Sequence, residues 1–211
     1  LSFARRRPLA PTVLNLNELV LGIAELLKRS LGDKVMLTTV LDSALTQDYP
    51  EDRLEIVVVD DGSTDGTAVV IEEYVAKYPG RIRAFRQENA GYEVATARAF
   101  SEARGELWAL LDADDLWAAD KTKRSVAAFR RDPKVGFVYT DLSLIDADGT
   151  ITTKSRFTAD GVPNVQGDEC ITQLLVIDNV AAASTIMFRA DLAPRILPLP
   201  AAVAYIDWWT A

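Results

Sequence analysis

The chain contains no histidine, and Cys170 is its single cysteine. The absence of histidine excludes Ser-His-Asp triads, zinc sites with histidine ligands and histidine proton shuttles. Acid–base chemistry must therefore fall to carboxylates, and any metal ion must be bound through oxygen atoms. One cysteine cannot form an internal disulfide, so we expect a reducing compartment.

Long apolar runs and a basic surplus are also missing. No stretch approaches the roughly 20 apolar residues that span a bilayer, and the N-terminal LSFARRRPLAP lacks the apolar segment of a signal peptide. The formal net charge is −8, which disfavours nucleic acid as a partner. With 211 residues, 49% of them hydrophobic, the chain is large enough for one globular core.

Strand-like and helix-like patterns alternate along the middle of the chain. The predicted strands are Leu54–Val59, Arg81–Arg86, Leu107–Leu111, Val135–Thr140 and Ser184–Phe188. The predicted helices are Thr67–Tyr78, Glu93–Arg104 and Asp120–Arg131. LSLID and TITTK flank the turn Ala147-Asp148-Gly149, which indicates a hairpin. The alternation predicts an α/β fold, with a mostly parallel sheet and helices on both faces.

Two acidic clusters follow predicted strands. Asp60 and Asp61 follow the first strand, and Asp112, Asp114 and Asp115 follow the third. Ligands of open α/β sheets bind beyond the carboxyl ends of the strands, so these carboxylates are expected to converge if the strands are near neighbours. Such a cluster is costly without a cation or hydrogen-bond donors. Oxygen ligands suit magnesium, manganese or calcium, and two carboxylates can bind one ion whose open positions take phosphate oxygens.

The motifs LEIVVVDDGSTDGT and RQENAGYEVATARAFSEARGELWALLDADDLW resemble the nucleotide-sugar-binding half of a family 2 glycosyltransferase of the GT-A fold. The resemblance runs from about Val40 to the C-terminus. It implies a bacterial enzyme of cell-surface polysaccharide synthesis that transfers a sugar, with inversion, from a UDP-, GDP- or dTDP-sugar to an acceptor hydroxyl. The implied location is cytoplasmic, either free or at the inner face of the membrane.

The resemblance also assigns the donor site. The residues matched to nucleotide-sugar binding are Asp60, Asp61, Arg98, Asp112 and Ala113. The resemblance further implies that Asp112 and Asp114 hold Mn²⁺ or Mg²⁺ on the diphosphate. Simpler alternatives stay open: Arg98 could be a solvated helix arginine, and Asp115 could cap the next helix.

The general base is matched near the C-terminus, in AYIDWWTA. The resemblance implies that Asp207 takes the proton from the acceptor, and its apolar neighbours would raise its pKa and make it a better base. The family's usual glutamate beside this base is replaced by Ile206. The alternative is that Asp207 caps the helix that follows.

The first 39 residues depart from the family pattern. Residues 3–37 resemble a segment of sensor histidine kinases, although no phosphoacceptor histidine is present. We therefore divide the chain into an atypical, fused N-terminal segment (1–39) and a glycosyltransferase-like domain (40–211), interpreted as truncated at its C-terminus. Either Thr12–Asn17 or Lys34–Thr39 takes the place of the family's opening strand, or the sheet is compromised; the first segment is favoured because an apolar-faced helix follows it.

Two other functions remain open. A catalytically silent domain could keep the fold as a binding module, since the opening strand is displaced. A calcium site is the other possibility, because residues from Asp61 to Glu72 have the spacing of an EF-hand loop. The strand predicted before Asp61 argues against calcium, since an EF-hand loop follows a helix.

Overall fold

A computed structural model describes residues 33–146, 149–162 and 182–197. The helices are α1 (Asp33–Leu45), α2 (Thr67–Lys77), α3 (Tyr92–Glu102), α4 (Lys121–Arg131), α5 (Arg156–Asp160) and α6 (Ala193–Ile196). The strands are β1 (Ile56–Asp60), β2 (Ile82–Arg86), β3 (Leu107–Ala109), β4 (Phe137–Val138), β5 (Leu144–Ile145), β6 (Ile151–Thr153) and β7 (Met187–Arg189). Short 3₁₀ turns cover Glu51–Arg53, Ala183–Thr185 and Ala190–Leu192. Among these residues, no helix has both the length and the apolar composition needed to cross a bilayer.

The predicted alternation of strands and helices is confirmed, and the strands pair in both directions. β1 and β2 are parallel, with Ile56 opposite Ile82. β7 lies between β3 and β4 and is antiparallel to both, so β3 and β4 run in the same direction. β5 and β6 form the expected antiparallel hairpin. The antiparallel pairs of the central sheet therefore arise from one late strand that enters between two earlier ones.

β7 is held in the centre of the core by its side chains. Phe188 in β7 and Ile186, the residue directly before the strand, are fully buried. The Phe188 ring meets the rings of Phe100 and Trp108 edge-on, with centroids 5.3 and 6.0 Å away. Because burial of one such side chain contributes roughly 1.5–3 kcal/mol, this cluster is a main source of stability for the central sheet.

The segment Lys34–Thr39 is helical, so the prediction that it could be a strand is wrong. It forms the first turns of α1, and the apolar residues Leu37, Leu41 and Leu45 recur at helical spacing along that helix. These residues pack with α2, β1 and β2 in a second apolar cluster. The six residues alone are compatible with a strand, whereas the longer window has the helical period. The other candidate strand, Thr12–Asn17, lies outside the described residues.

The predicted strand Ser184–Phe188 begins later than expected. Residues Ala183–Thr185 form a 3₁₀ turn instead. The Thr185 hydroxyl donates to the Ala182 carbonyl at 2.6 Å, and the Ser184 hydroxyl accepts a backbone hydrogen bond from another element. Such local bonds from Ser and Thr compete with strand pairing, which explains the shift.

Candidate active site

The carboxylates at the end of β1 are both buried, but they differ in their contacts. Asp61 is 2% exposed, and its two oxygens accept hydrogen bonds from Gln87 Nε2 (2.8 Å), Ala90 N (3.0 Å) and Gly91 N (2.9 Å). These bonds satisfy a buried charge that would otherwise be costly. Asp61, predicted to contact the nucleoside, therefore fixes the loop between β2 and α3 to the end of β1.

Asp60 keeps one oxygen without a hydrogen bond. Its Oδ1 accepts from Ser63 N at 2.8 Å. Its Oδ2 lies 3.4 Å from Arg86 Nε, close enough for an ion pair, yet receives no hydrogen bond from the described residues. Since Asp60 is only 5% exposed, this oxygen is a buried acceptor at the strand end that an N–H donor of a ligand would satisfy.

The glycine after the two aspartates is required by space as well as by conformation. Gly62 has φ = +81°, which side chains other than glycine rarely adopt. A Cβ at this position would lie 2.8 Å from Asn89 N and 3.3 Å from Gln87 O. The Asp-Asp-Gly turn therefore packs directly against the backbone of the loop that Asp61 holds.

The second acidic cluster follows β3, which belongs to a different sheet from β1 among the described residues, and a chain of hydrogen bonds connects the two clusters. Tyr92 donates its hydroxyl hydrogen to Asp112 Oδ1 at 3.2 Å. Tyr92 directly follows Gly91, whose N–H donates to Asp61. Two hydrogen bonds and the peptide bond between residues 91 and 92 therefore connect the residue after β1 to the loop after β3. The backbone N–H of Asp112 donates to Ser184 Oγ at 2.9 Å. Gly91 and Tyr92 therefore link the two clusters, while β1 and β3 are not paired with each other among the described residues.

Asp114 lies in a partly desolvated position beside Asp115. Burial first, and then the negative charge of Asp115, raise the pKa of the Asp114 carboxyl above its usual value, against a smaller lowering by a backbone hydrogen bond. Asp115 is exposed, and its N–H closes a turn onto the Asp112 carbonyl at 3.2 Å. A cation placed at Asp114 would favour its charged form and lower this pKa.

The carboxylate oxygens of the second acidic cluster suit a divalent metal ion that is also coordinated by oxygen atoms of a ligand. Across the three described ranges, no group of three or more Asp, Glu, His or Cys side chains is placed to enclose a metal ion. Asp112 and Asp114 offer carboxylate oxygens on one loop, and magnesium-type ions are often held by one or two carboxylates together with substrate phosphates. The site therefore suits an ion that arrives with, or is completed by, a phosphate ligand.

Arg98 acts on the site through another residue. Its Nη1 donates to the Arg86 carbonyl at 2.9 Å and lies 3.3 Å from Gln87 Oε1, and its guanidinium stacks over Phe85 at 5.5 Å. Gln87 in turn donates to Asp61. Arg98, predicted to lie close to the donor, is therefore placed as a brace of the loop that follows β2.

Two contacts of this site were not found from the sequence. Tyr92 has a weak local signal, since it begins a helix directly after the loop that follows a strand. Ser184 has none, because it is 72 residues from the Asp112 that it binds. Asp207, the predicted base, lies outside the described residues.

The calcium alternative does not fit the geometry of the first cluster. Asp61 follows a β-strand rather than a helix, and its oxygens are engaged by the loop between residues 87 and 91. An EF-hand needs these oxygens to face an ion and needs a helix on the N-terminal side. We therefore set aside the EF-hand interpretation of Asp61–Glu72.

Comparisons with known proteins agree with this geometry. The model of the family described as Glycosyl transferase family 2 matches residues 33–193. An uncharacterized glycosyltransferase of Nostoc, alr2836, is 38% identical over 120 residues, covering 56% of this chain and 36% of that protein. A Bacillus subtilis protein named as a teichuronic acid biosynthesis glycosyltransferase, TuaG, is 33% identical over 129 residues, covering 56% of this chain and 50% of its own length. The chain thus spans half or less of these relatives.

A solved structure extends the agreement to the fold. The crystal structure of Staphylococcus aureus TarS in complex with UDP-GlcNAc matches with a TM-score of 0.58 and 23% identity. The match covers 75% of this chain and 43% of that structure. At this identity the likeness establishes the fold alone, and that fold is GT-A.

Proposed function

Because this chain belongs to Glycosyl transferase family 2, we propose that it transfers a sugar from a nucleotide diphosphate donor to an acceptor hydroxyl, with inversion at the anomeric carbon. The supporting observation is the link Asp61–Gly91–Tyr92–Asp112, which connects the two acidic clusters that follow the carboxyl ends of β1 and β3. The carboxyl ends of strands are where α/β sheets bind nucleotides. One cluster offers a buried acceptor, and the other offers oxygen ligands for a cation.

In this proposal, different residues bind different parts of the donor substrate. Asp60 Oδ2, the buried acceptor without a hydrogen bond from the described residues, accepts an N–H of the base. Asp112 and Asp114 hold Mn²⁺ or Mg²⁺ together with the diphosphate, and the ion supplies charge neutralisation for the leaving group. Tyr92 keeps the Asp112 carboxylate oriented toward the ligand edge. Arg98 and Gln87 keep the loop that Asp61 binds in place.

The chemical step is assigned to the base predicted from the sequence. Asp207 takes the proton of the acceptor hydroxyl as its oxygen bonds to the anomeric carbon from the face opposite the diphosphate. The bond to the diphosphate oxygen breaks in the same displacement, through an oxocarbenium-like transition state. One displacement from the opposite face is what gives inversion.

The substrate class follows from what similar proteins bind and make. TarS, with a similar fold, has been crystallised with UDP and with UDP-GlcNAc, so UDP-sugars come first, with GDP- and dTDP-sugars as the other donors to test. The relative named for teichuronic acid biosynthesis suggests a bacterial cell-surface polysaccharide as the product. A cytoplasmic site of action, at the inner face of the membrane, completes the proposal.

Calorimetric titration of UDP, GDP and dTDP with and without Mn²⁺ tests the binding half. We expect one nucleotide to bind in a manganese-dependent manner, and Asp114→Ala to abolish that binding. The matched control is Asp146→Ala, in the chain's second Asp-Ala-Asp sequence. Asp146 closes the β5–β6 hairpin by accepting from Thr150 N at 2.9 Å. No binding of any nucleotide in any condition would refute the proposal.

Donor turnover tests the catalytic half. Release of free sugar from the donor is followed for the unsubstituted chain and for Asp207→Asn. We expect turnover in the first and a loss of at least about 100-fold in the second, as is typical for a general base. If the chain binds nucleotide but releases no sugar from the donor, it is instead the catalytically silent binding module.

A further inference from the structure

Asp60 and Arg86 are direct neighbours at the carboxyl ends of β1 and β2. They are the last residues of the two strands, and they lie opposite each other in the register of the parallel pair. Because side chains alternate between the two faces along a strand, directly opposed residues of paired strands lie on the same face of the sheet. The carboxylate and the guanidinium therefore lie side by side, next to the turn that contains Gly62.

Arg86 is anchored through one nitrogen and keeps its other N–H groups unused among the described residues. Its Nη2 donates to the Ser63 carbonyl at 2.8 Å. Its Nε lies 3.4 Å from Asp60 Oδ2 without forming a hydrogen bond to it, and its Nη1 makes no hydrogen bond with the described residues. Since the side chain is 58% exposed, the N–H groups of Nε and Nη1 are available to a ligand.

The pair offers a ligand one acceptor and several donors. Asp60 Oδ1 already accepts from Ser63 N, so Oδ2 is the one oxygen of this buried carboxylate that has no hydrogen bond from the described residues. A matching ligand has a single N–H group for Oδ2 and a carbonyl oxygen beside it for Arg86. Any additional N–H group placed there would be desolvated without an acceptor, which costs free energy.

Among the common nucleobases, uracil and thymine match this count of donors and acceptors. Their pairing edge has one N–H group between two carbonyl oxygens. The corresponding edges of guanine, adenine and cytosine each include an amino group, which has two N–H donors. With one acceptor in the buried position, such an amino group would keep an N–H without a partner. The contacts at the ends of β1 and β2 therefore favour an imide base.

We propose that Arg86 is a further nucleotide-binding residue and that, together with Asp60, it selects a uracil or thymine base. The base N–H donates to Asp60 Oδ2, and Arg86 donates to the adjacent carbonyl oxygen. This inference rests on the proposed function, in which Asp60 accepts an N–H of the base. Uracil and thymine differ by a methyl group outside this edge, so the pair accepts both. The sugar donor is therefore a UDP-sugar or a dTDP-sugar rather than a GDP-sugar.

Calorimetric titration of the unsubstituted chain with UDP, dTDP, GDP, CDP and ADP in the presence of Mn²⁺ tests the class of base. We expect UDP or dTDP to bind at least about 10-fold more tightly than the three nucleotides whose bases have an amino group. The N3-methyl form of the nucleotide that binds lacks the N–H group, and it should bind at least about 10-fold more weakly. If GDP, CDP or ADP binds most tightly, the chain binds a nucleotide but this inference is overturned.

Sulfur in place of a carbonyl oxygen of the base tests the contact with Arg86, because sulfur is a weak hydrogen-bond acceptor. We expect the 2-thio or the 4-thio form of the nucleotide to bind the unsubstituted chain several-fold more weakly than the oxygen form. In Arg86→Gln, both forms should bind with equal, reduced affinity. The matched control is Arg124→Gln in α4, because Arg124 is 77% exposed and pairs with Asp120 at 3.6 Å. It should keep the full effect of sulfur.

The sulfur effect separates a contact with the base from a structural role of Arg86 at the turn. If Arg86 only supports the turn through Ser63, its replacement weakens the oxygen and sulfur forms alike, and the sulfur effect stays the same as in the unsubstituted chain. That result, or the absence of any sulfur effect in the unsubstituted chain, would overturn the proposal. If no nucleotide binds in any condition, the proposed function is refuted and this inference with it, so the two failures are distinguishable.

Discussion

Lys121, the first residue of α4, carries a buried charge that the described residues do not compensate. It is 7% exposed, and its Nζ has no hydrogen-bond partner among them. The ammonium lies over the Trp117 ring at 4.3 Å. Burial lowers the pKa of Lys121 from 10.5 to about 8. We predict that Lys121→Met stabilises the protein at neutral pH.

The magnitude follows from the pKa. At about 1.4 kcal/mol per pH unit, a fall from 10.5 to about 8 corresponds to roughly 3 kcal/mol of unfolding free energy lost while the lysine is charged. The methionine variant also loses the cation–π contact, worth roughly 0.5–2 kcal/mol. The expected gain at pH 7 is therefore about 1–3 kcal/mol.

The direction in which stability changes with pH provides a separate test of this reasoning. Below pH 8 the folded and unfolded chains both carry the charge, and the full penalty applies. Between pH 8 and 10.5 the folded protein releases the proton while the unfolded chain keeps it, so the stability of the unsubstituted protein rises. Lys121→Met lacks this contribution, and its advantage should shrink from pH 7 to pH 10.

Urea unfolding followed by tryptophan fluorescence at pH 7 and pH 10 measures both effects. The matched control is Lys123→Met, because Lys123 is 61% exposed and pairs with Asp48 at 2.6 Å. It should give no gain at pH 7. A loss of stability in Lys121→Met at pH 7, or an advantage unchanged at pH 10, would show that the lysine has an anionic partner and would refute the reasoning.

Three further substitutions test the site and the core. Gly62→Ala should lower the free energy of unfolding, measured in urea, by about 2–4 kcal/mol, because the positive φ and the close contact with residue 89 both oppose a Cβ. The control Gly80→Ala has the same φ but open space around the Cβ, and it should lower this free energy by only about 1 kcal/mol. Tyr92→Phe should weaken manganese-dependent nucleotide binding several-fold in calorimetry, because the hydrogen bond to Asp112 is lost. The unfolding midpoint should change by no more than a few degrees. Phe188→Ala should lower the unfolding free energy by about 3–5 kcal/mol, and a value under 1 kcal/mol would contradict its central place in the core.

The sequence predicted those elements whose signal is local. β1 and β3 are short apolar runs and β2 alternates apolar and basic residues, and all three are followed by polar loops. The intervening helices have an apolar face, so strands and helices could both be assigned within a window of about 12 residues. The start of α1 was interpreted as a possible strand because the six residues Lys34–Thr39, taken alone, do not distinguish a helical period from a strand period. The sequence could not predict that β7 pairs with both β3 and β4, because the hydrophobic period identifies a strand but does not indicate which strands it pairs with.

The site divides in the same way. The rule for strand ends predicted that Asp60, Asp61 and Asp112 would lie near one another, and in the structure Gly91 and Tyr92 link Asp61 to Asp112. Their individual contacts were not predictable: the engagement of Asp61 by loop amides depends on how residues 87–91 fold back. Two neighbouring carboxylates of identical chemistry therefore have different partners: loop amides and Gln87 for Asp61, and Ser63 N and Arg86 for Asp60.

The hydrogen bond from Asp112 to Ser184 has a consequence for the order of folding. The residue at the ligand edge is anchored by a serine that the ribosome adds 72 positions later, directly ahead of β7. Contacts of such long range form slowly, because a large loop must close before they contribute. A nascent chain that has emerged only through β4 contains every partner of Asp61 named above but lacks the serine that binds the Asp112 N–H. The hydrogen bonds around Asp112 are therefore completed later than those around Asp61.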